Sequence, residues 1–188
     1  MNFPLPALLG LTLLASELLL AATKRARGDA KTRDAKSLRL IWIVVAIALF
    51  LGSQALGEWR DARLPRPDLF RLLGIVLFAA GLALRWYSIV QLGRFFTVNV
   101  SIAADHELIE SGPYRFVRHP SYTGMLTAFL GFALTLGNWA ALLIMMVPVS
   151  WVFVYRMNVE ERALRAALGE RYVAYSGRTK KRLLPFIY

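Results

Sequence analysis

Gly112-Pro-Tyr-Arg-Phe-Val-Arg-His-Pro-Ser-Tyr-Thr-Gly124 runs directly into the apolar stretch Met125 to Leu136. Proline suits the first position of a helix, where its missing N–H has no intrahelical partner, and it pushes the preceding residue out of helical geometry. His119-Pro120 therefore predicts a helix start, with the apolar stretch as its body. The first-turn N–H groups and the positive dipole end of that helix face back toward Arg115, Arg118 and His119, a place for a carboxylate or phosphate. Two arginines, a histidine and two tyrosines between membrane-length apolar stretches suggest a site at a membrane surface.

Outward from this segment the chain is apolar in blocks: 57% of its 188 residues are hydrophobic, and the mean hydropathy is +0.48. That is too apolar for a soluble domain of this size, so the composition predicts an integral membrane protein. Five blocks stand out, at Phe3 to Ala22, Leu38 to Gly57, Leu69 to Leu92, Tyr122 to Leu136 and Trp139 to Tyr155, against about 20 residues for a perpendicular span. The fourth is short. Only Gly137-Asn138 separates it from the fifth, which predicts a tight antiparallel helical hairpin. The expected fold is all-α, with about five transmembrane helices in a single membrane domain over 1–188. Residues 1–68 form two N-terminal spans with their loops, and 69–188 form the core that carries the chemistry.

The formal net charge of +11 raises the question of nucleic acid, and the placement of the charges answers it. Segment 23–40 carries seven Lys or Arg, 94–120 three and the tail from 156 eight, against four in 58–71. With five spans the three richer groups share one side. The positive-inside rule then puts the N-terminus outside and the site and tail in the cytoplasm, and no nucleic acid is needed to explain the charge. The first span has its basic residues after it, the reverse of a secretory signal, so it is read as retained. With no cysteine in the chain, disulfides, thiolate metal sites and cysteine nucleophiles are excluded, and no metal is expected. The reading finds no heptad pattern or internal repeat.

Residues 23–37 read as a basic connector at anionic headgroups, and 58–68 as a short external loop. Phe95 to Val100 is β-prone, and Ser111-Gly112-Pro113 signals a turn. Beyond the fifth span an amphipathic cytoplasmic helix is expected, with Leu164, Leu168, Tyr172 and Tyr175 on one face. Glu17 and Arg85 lie within the first and third spans at similar depth, which makes them a candidate ion pair. Trp42, Trp59, Trp86, Trp139 and Trp151 read as belt or packing aromatics.

Three polar groups gather at the cytoplasmic face: Asp105-His106-Glu107, Tyr114 through Tyr122, and Arg156 with Glu160-Glu161. Arg156 and Glu160 share a helix face and are free to pair with each other, although arginine four residues before glutamate is the weaker order. Their order along the chain carries more. His106-x-Leu108-Ile109-x-x-Gly112-x-Tyr114-x-x-x-Arg118-His119-Pro120-Ser121-Tyr122-x-Gly124 is followed by Glu160-Glu161-x-x-Leu164, then Gly169-x-x-Tyr172-x-x-Tyr175 and a terminal Leu184-Pro185-Phe186. Over residues 90–188 this resembles the isoprenylcysteine carboxyl methyltransferase family.

The resemblance implies a membrane enzyme that moves a methyl group from S-adenosylmethionine to a lipophilic acceptor, such as a small molecule or a prenylated protein, arriving among the membrane lipids. It implies cofactor contacts at His106, Glu107, Leu108, Ile109, Tyr114, His119, Pro120, Ser121, Tyr122 and Glu160, and an acceptor contact at Arg156. Asn99 stands where the family carries glutamine, and its shorter amide still suits a cofactor bond. These roles make physical sense. His119 and the helix it starts suit the cofactor carboxylate, Glu160 the ammonium, and Leu108, Ile109 and Tyr122 the adenine. Arg156 would aim an acceptor carboxylate that is already a nucleophile.

For His119 a cofactor role outweighs a helix-capping one, whereas Glu161, about 100° around the helix from Glu160, reads as a solvated face charge. Tyr172 and Tyr175 read as packing residues of the tail helix. Phospholipid N-methyltransferases and thiol S-methyltransferases remain as alternatives within the same chemistry. Membrane sterol-type reductases, which bind NADPH, share an Arg-His-Pro-x-Tyr-x-Gly segment but follow it with glutamate, where this chain has Met125. The glycine-rich strand-to-helix turn of soluble dinucleotide-binding domains is absent.

Overall fold

Glycines spaced seven apart set the centre of the computed structural model, which describes residues 4–23, 31–34, 36–96, 100–102 and 108–183. Gly74 and Gly81 lie on α3 (Pro67–Leu92), and Gly124 and Gly131 on α4 (Pro120–Thr135). The two helices run antiparallel with their backbones in contact. A Cβ on Gly81 would sit 2.4 Å from the Ala128 nitrogen, and one on Gly131 2.4 Å from the Phe78 nitrogen. Small residues let membrane helices approach this closely, and dispersion between the backbones then holds them. The seven-residue period is carried by residues that lack a side chain, so no heptad of large apolar residues marks it in the sequence.

The other elements assemble around this pair. In chain order the helices are α1 (Leu5–Thr23), α2 (Lys36–Glu58), α3, α4, α5 (Trp139–Leu168) and α6 (Glu170–Arg178). On α2, Val45, Ala48, Gly52 and Ala55 recur at a spacing of three and four residues and are buried. They meet α5, whose Ala141, Met145, Val149 and Val152 are buried in turn. Leu13 of α1, Phe78 of α3, Phe129 of α4 and Phe153 of α5 close the core.

Four helices, α1, α2, α3 and α5, are long and apolar enough to cross a membrane. The fourth helix has only 16 residues. Large exposed apolar side chains such as Leu11, Phe50, Val76 and Val147 stud the four long helices, while α4 has none. It is an interior helix, screened by its neighbours.

On the side away from the site, the α2–α3 connection is stitched to the start of α5. Leu64 N–H donates to the Gly137 carbonyl at 2.8 Å and Trp139 N–H to that of Ala62 at 2.7 Å. The Asn138 amide donates to the Trp59 carbonyl at 2.8 Å, and its side-chain oxygen caps α5 by accepting from Ala141 N–H at 3.0 Å.

Two details differ from the sequence reading. The basic connector 23–37 is not all loop: its β1 (Lys31–Asp34) pairs antiparallel with β2 (Val100–Ile102), at the end of the β-prone stretch, in a two-stranded ribbon that adds the only strands among the described residues to a helical architecture. The tail is also not one amphipathic helix leaving the fifth span. α5 continues for 30 residues, roughly 45 Å against a hydrocarbon core of about 30 Å. It is longer than a perpendicular crossing needs. The break comes at Gly169, whose φ of 54° lies in the left-handed region that glycine tolerates. Leu164 and Leu168 thus end α5, while Tyr172 and Tyr175 are the buried pair of α6.

Replacing Gly81 or Gly131 by valine should lower stability in detergent by about 1–3 kcal/mol or more, because backbone atoms cannot yield as side chains do. Gly57→Ala, where a Cβ meets nothing within 4 Å, should stay within about 0.5 kcal/mol of the parent. Thermal unfolding followed by circular dichroism measures both.

Candidate functional site

Pro120 opens α4 as its sequence implies, with His119 before it at φ −126° and ψ 58°. The chain's own tail lies against the residues just before this helix. Arg118 N–H donates to the Lys181 carbonyl and His119 N–H to that of Arg182, both at 2.9 Å. The Arg118 guanidinium donates to the Thr179 and Lys180 carbonyls at 2.8 Å each, and the Thr123 hydroxyl to that of Leu183 at 2.6 Å. Residues 179–183 are thereby strapped across the front of α4. Arg115 does not join them: it is exposed, with its guanidinium over the Phe116 ring.

Glu161 organises this strap, contrary to its reading as a solvated charge. It is 3% exposed. Its Oε1 accepts from Arg118 Nε at 2.9 Å and meets His119 Nε2 at 3.0 Å, and its Oε2 accepts from Arg182 Nη2 at 2.8 Å. Rotating 100° from Glu160 around α5 leads to the helix face turned toward α4 and the tail. Helix geometry predicted the direction, but only the packing showed what fills it. Because Glu161 engages Nε2, His119 can donate from Nδ1 to an anion only as the imidazolium.

Around Glu160 lies a second group. Its Oε2 accepts from the Tyr122 hydroxyl at 2.8 Å, and the Tyr122 ring stacks on His119 with centroids 5.5 Å apart. Ser121 next to it accepts from Arg85 Nη1 at 3.1 Å. Arg85 also grips Glu17 in a two-pronged pair, Nε to Oε1 at 2.8 Å and Nη2 to Oε2 at 2.7 Å. The candidate pair within the spans is therefore formed, and it ties α1 to α3 and the start of α4. Trp86 reinforces it by donating to the Ser16 hydroxyl at 2.9 Å; it is not merely a belt residue. Arg156, 3% exposed, donates to the hydroxyl of Ser37 at the start of α2.

Tyr114 is buried in the turn Gly112–Arg115, with its hydroxyl donating to the Ser88 carbonyl at 3.2 Å and its own carbonyl accepting from the Tyr175 hydroxyl at 2.8 Å. Burial pushes the Tyr114 hydroxyl far above its ordinary range, and the Glu160 carboxylate adds to the shift. It is a neutral hydrogen-bonding group at any physiological pH. Leu108 and Ile109 are half-buried just before this turn, and Pro120 and Ser121 are buried. Asn99, His106 and Glu107 lie outside the described residues.

An apolar cavity separates α1, α2, α4 and α5. Leu13, Val45, Met125, Phe129, Phe132 and Phe153 line its depth, and Glu17, Arg85, Tyr122 and Arg156 line its polar end. A long apolar molecule with an anionic head fits this arrangement: the body replaces lipid contacts and the head meets a guanidinium. The half-buried Glu160 carboxylate, among tyrosines, suits a cationic group.

These features define a helical membrane protein whose one end holds a charged site open to an apolar cavity. The phospholipid methyltransferase family model matches residues 69–171, and the chain belongs to that family. It is 33% identical over 116 residues to protein-S-isoprenylcysteine O-methyltransferase B of Arabidopsis thaliana, covering 61% of this chain and 58% of that one. With the protein-S-isoprenylcysteine O-methyltransferase of Schizosaccharomyces pombe it shares 35% over 97 residues, covering 50% and 41%. For the one of Mus musculus the figures are 30% over 165 residues, 81% and 57%. The structure of a eukaryotic intramembrane Ras methyltransferase, an isoprenylcysteine carboxyl methyltransferase, superposes with a TM-score of 0.59 at 22% identity, over 82% of this chain and 54% of that one. The chain thus spans about half the length of these relatives.

Glu161→Gln leaves the Arg118, Arg182 and His119 cluster without its anion, and breaking such a buried group costs about 3–5 kcal/mol. The strap should loosen before the bundle does. Limited trypsin digestion should then cut after Lys180 and Lys181 at least ten times faster than in the parent, with the transmembrane fragment intact by mass spectrometry.

Proposed function

We propose that the protein is an integral membrane methyltransferase that carries a methyl group from S-adenosylmethionine to a lipophilic acceptor, in the first place the carboxylate of an isoprenylcysteine-like substrate. The observation that carries this reading is the apolar cavity ending at Arg156, one helical turn from Glu160. The names of the relatives point the same way. Bound S-adenosylmethionine supplies an electrophilic methyl group on a sulfonium sulfur.

The chain's own residues then have three tasks. Glu160, oriented by the Tyr122 hydroxyl, meets the cofactor ammonium, and His119 is the proposed partner of its carboxylate. Leu108, Ile109 and the Tyr122 ring offer an apolar wall for the adenine. Tyr114, Pro120 and Ser121 complete the surface on this side, and Asn99, His106 and Glu107 are proposed on resemblance alone. Arg156 aims the acceptor carboxylate, which needs no base because it is already ionised, so in-line placement is the main contribution. Burial of Arg156 and the cavity walls exclude the water that would otherwise solvate the nucleophile.

In the membrane, five spans or near-spans are proposed, the short α4 forming a hairpin with α5, with the N-terminus outside and the site and tail in the cytoplasm. Residues 69–188 would be the catalytic core of one domain spanning 1–188.

Membranes holding the protein, given methyl-labelled S-adenosylmethionine and a farnesylated cysteine, should yield a base-labile methyl ester; a base-stable product in lipid extracts would move the acceptor to an amine or thiol. Glu160→Gln should weaken cofactor binding by about 1.5–3 kcal/mol, the worth of a charged hydrogen bond. Arg156→Lys should leave it nearly unchanged while lowering turnover with a carboxylate acceptor; equal loss of cofactor affinity in both variants would make the two residues a structural unit instead.

For topology, Asp61 and Ala174 are exposed. Single cysteines placed there in this cysteine-free chain should react with a membrane-impermeant maleimide from opposite sides.

A further inference from the structure

Tyr172 is 1% exposed, yet its hydroxyl is the one buried side-chain polar atom among the described residues with no hydrogen-bond partner. It stands on α6 three residues before Tyr175, which it meets edge to face with ring centroids 6.0 Å apart. The two tyrosines are placed alike and used differently: Tyr175 docks the helix by donating to the Tyr114 carbonyl, and Tyr172 docks with its ring alone. Phenylalanine would pack the same space without burying an unanswered hydroxyl, which is costly inside a fold. The group around it is charged, since the fields of Glu161, Arg118 and Glu160 all act on the phenol. Burial keeps that phenol neutral, so it can both donate and accept.

We propose that the Tyr172 hydroxyl belongs to the cofactor site, where it bonds the amino-acid end of S-adenosylmethionine alongside Glu160. This rests on the cofactor reading given above. The amino-acid end brings an ammonium and a carboxylate into a region already lined by Glu160 and the Arg118–Glu161 cluster. A buried hydroxyl without a partner gains one on binding, so its cost to the ligand-free fold is offset only in the complex.

Tyr172→Phe removes one oxygen and keeps the ring. In purified full-length protein in detergent, the variant without ligand should melt at the same temperature as the parent or higher. Its affinity for S-adenosylhomocysteine should fall roughly 10- to 100-fold, the range of a single hydrogen bond to a charged group. Affinity for 5′-methylthioadenosine, which lacks the amino-acid end, should not change. Unchanged affinity for both compounds, equal weakening for both, or a lower ligand-free melting temperature would overturn the inference, the last by showing that the hydroxyl serves the fold. Parent protein that binds neither S-adenosylmethionine nor S-adenosylhomocysteine would overturn the cofactor reading as well. Parent protein that binds them beside an unaffected variant would overturn this inference alone.

Discussion

Backbone contact between α3 and α4 governs the rest of the structure. With no side chain at Gly81 and Gly124, the two helices close until a Cβ on Gly124 would lie 2.6 Å from the Arg85 nitrogen. That approach brings the Arg85 guanidinium within reach of Ser121 in the first turn of α4, and the Ser88 carbonyl within reach of the Tyr114 hydroxyl. A wider spacing would leave both contacts unmade, and Arg85 would keep Glu17 but lose its Ser121 acceptor within an apolar layer, where polar groups need partners. The same contact that packs the bundle therefore positions the charged end of the cavity.

Glu161 does for the tail what the glycines do for the helices. A carboxylate and its cationic partners taken out of water lose hydration that their attraction repays only when every lone pair finds a donor. Here both oxygens are engaged, by Arg118 and His119 on one side and Arg182 on the other. The cluster is better understood as a device that fixes how the tail lies on α4 than as a source of net stability. Polar groups of this kind specify an arrangement, because any other arrangement leaves a buried charge unmatched.

The division of labour between Glu160 and Glu161 follows from one step along a helix. At 100° per residue, adjacent carboxylates point in different directions and meet different side chains. Glu160 turns to Tyr122 and the cavity side, and Glu161 turns to the strap. Arg156, one turn earlier on the Glu160 side, reaches back to α2 through Ser37. Three parts of the chain, α4, the strap and α2, thus converge on a single stretch of α5.

Much of this was legible in the sequence. Apolar blocks gave the long helices, because only an internally hydrogen-bonded helix satisfies its backbone in lipid, and His119-Pro120 gave the start of α4 because proline restricts the residues on both sides of it. Even the Glu17 and Arg85 pair followed from counting residues along two helices. The α3 and α4 glycine contact did not, since a missing side chain leaves no hydrophobic pattern to read. Nor did the buried role of Glu161, because a helix face is solvated or covered only according to what other elements bring to it. Sequence alone determined what each segment is, through local sterics and the bilayer's demand on the backbone. Tertiary structure decided which polar groups find one another, because a charge's partner is set by contacts between segments far apart in the chain.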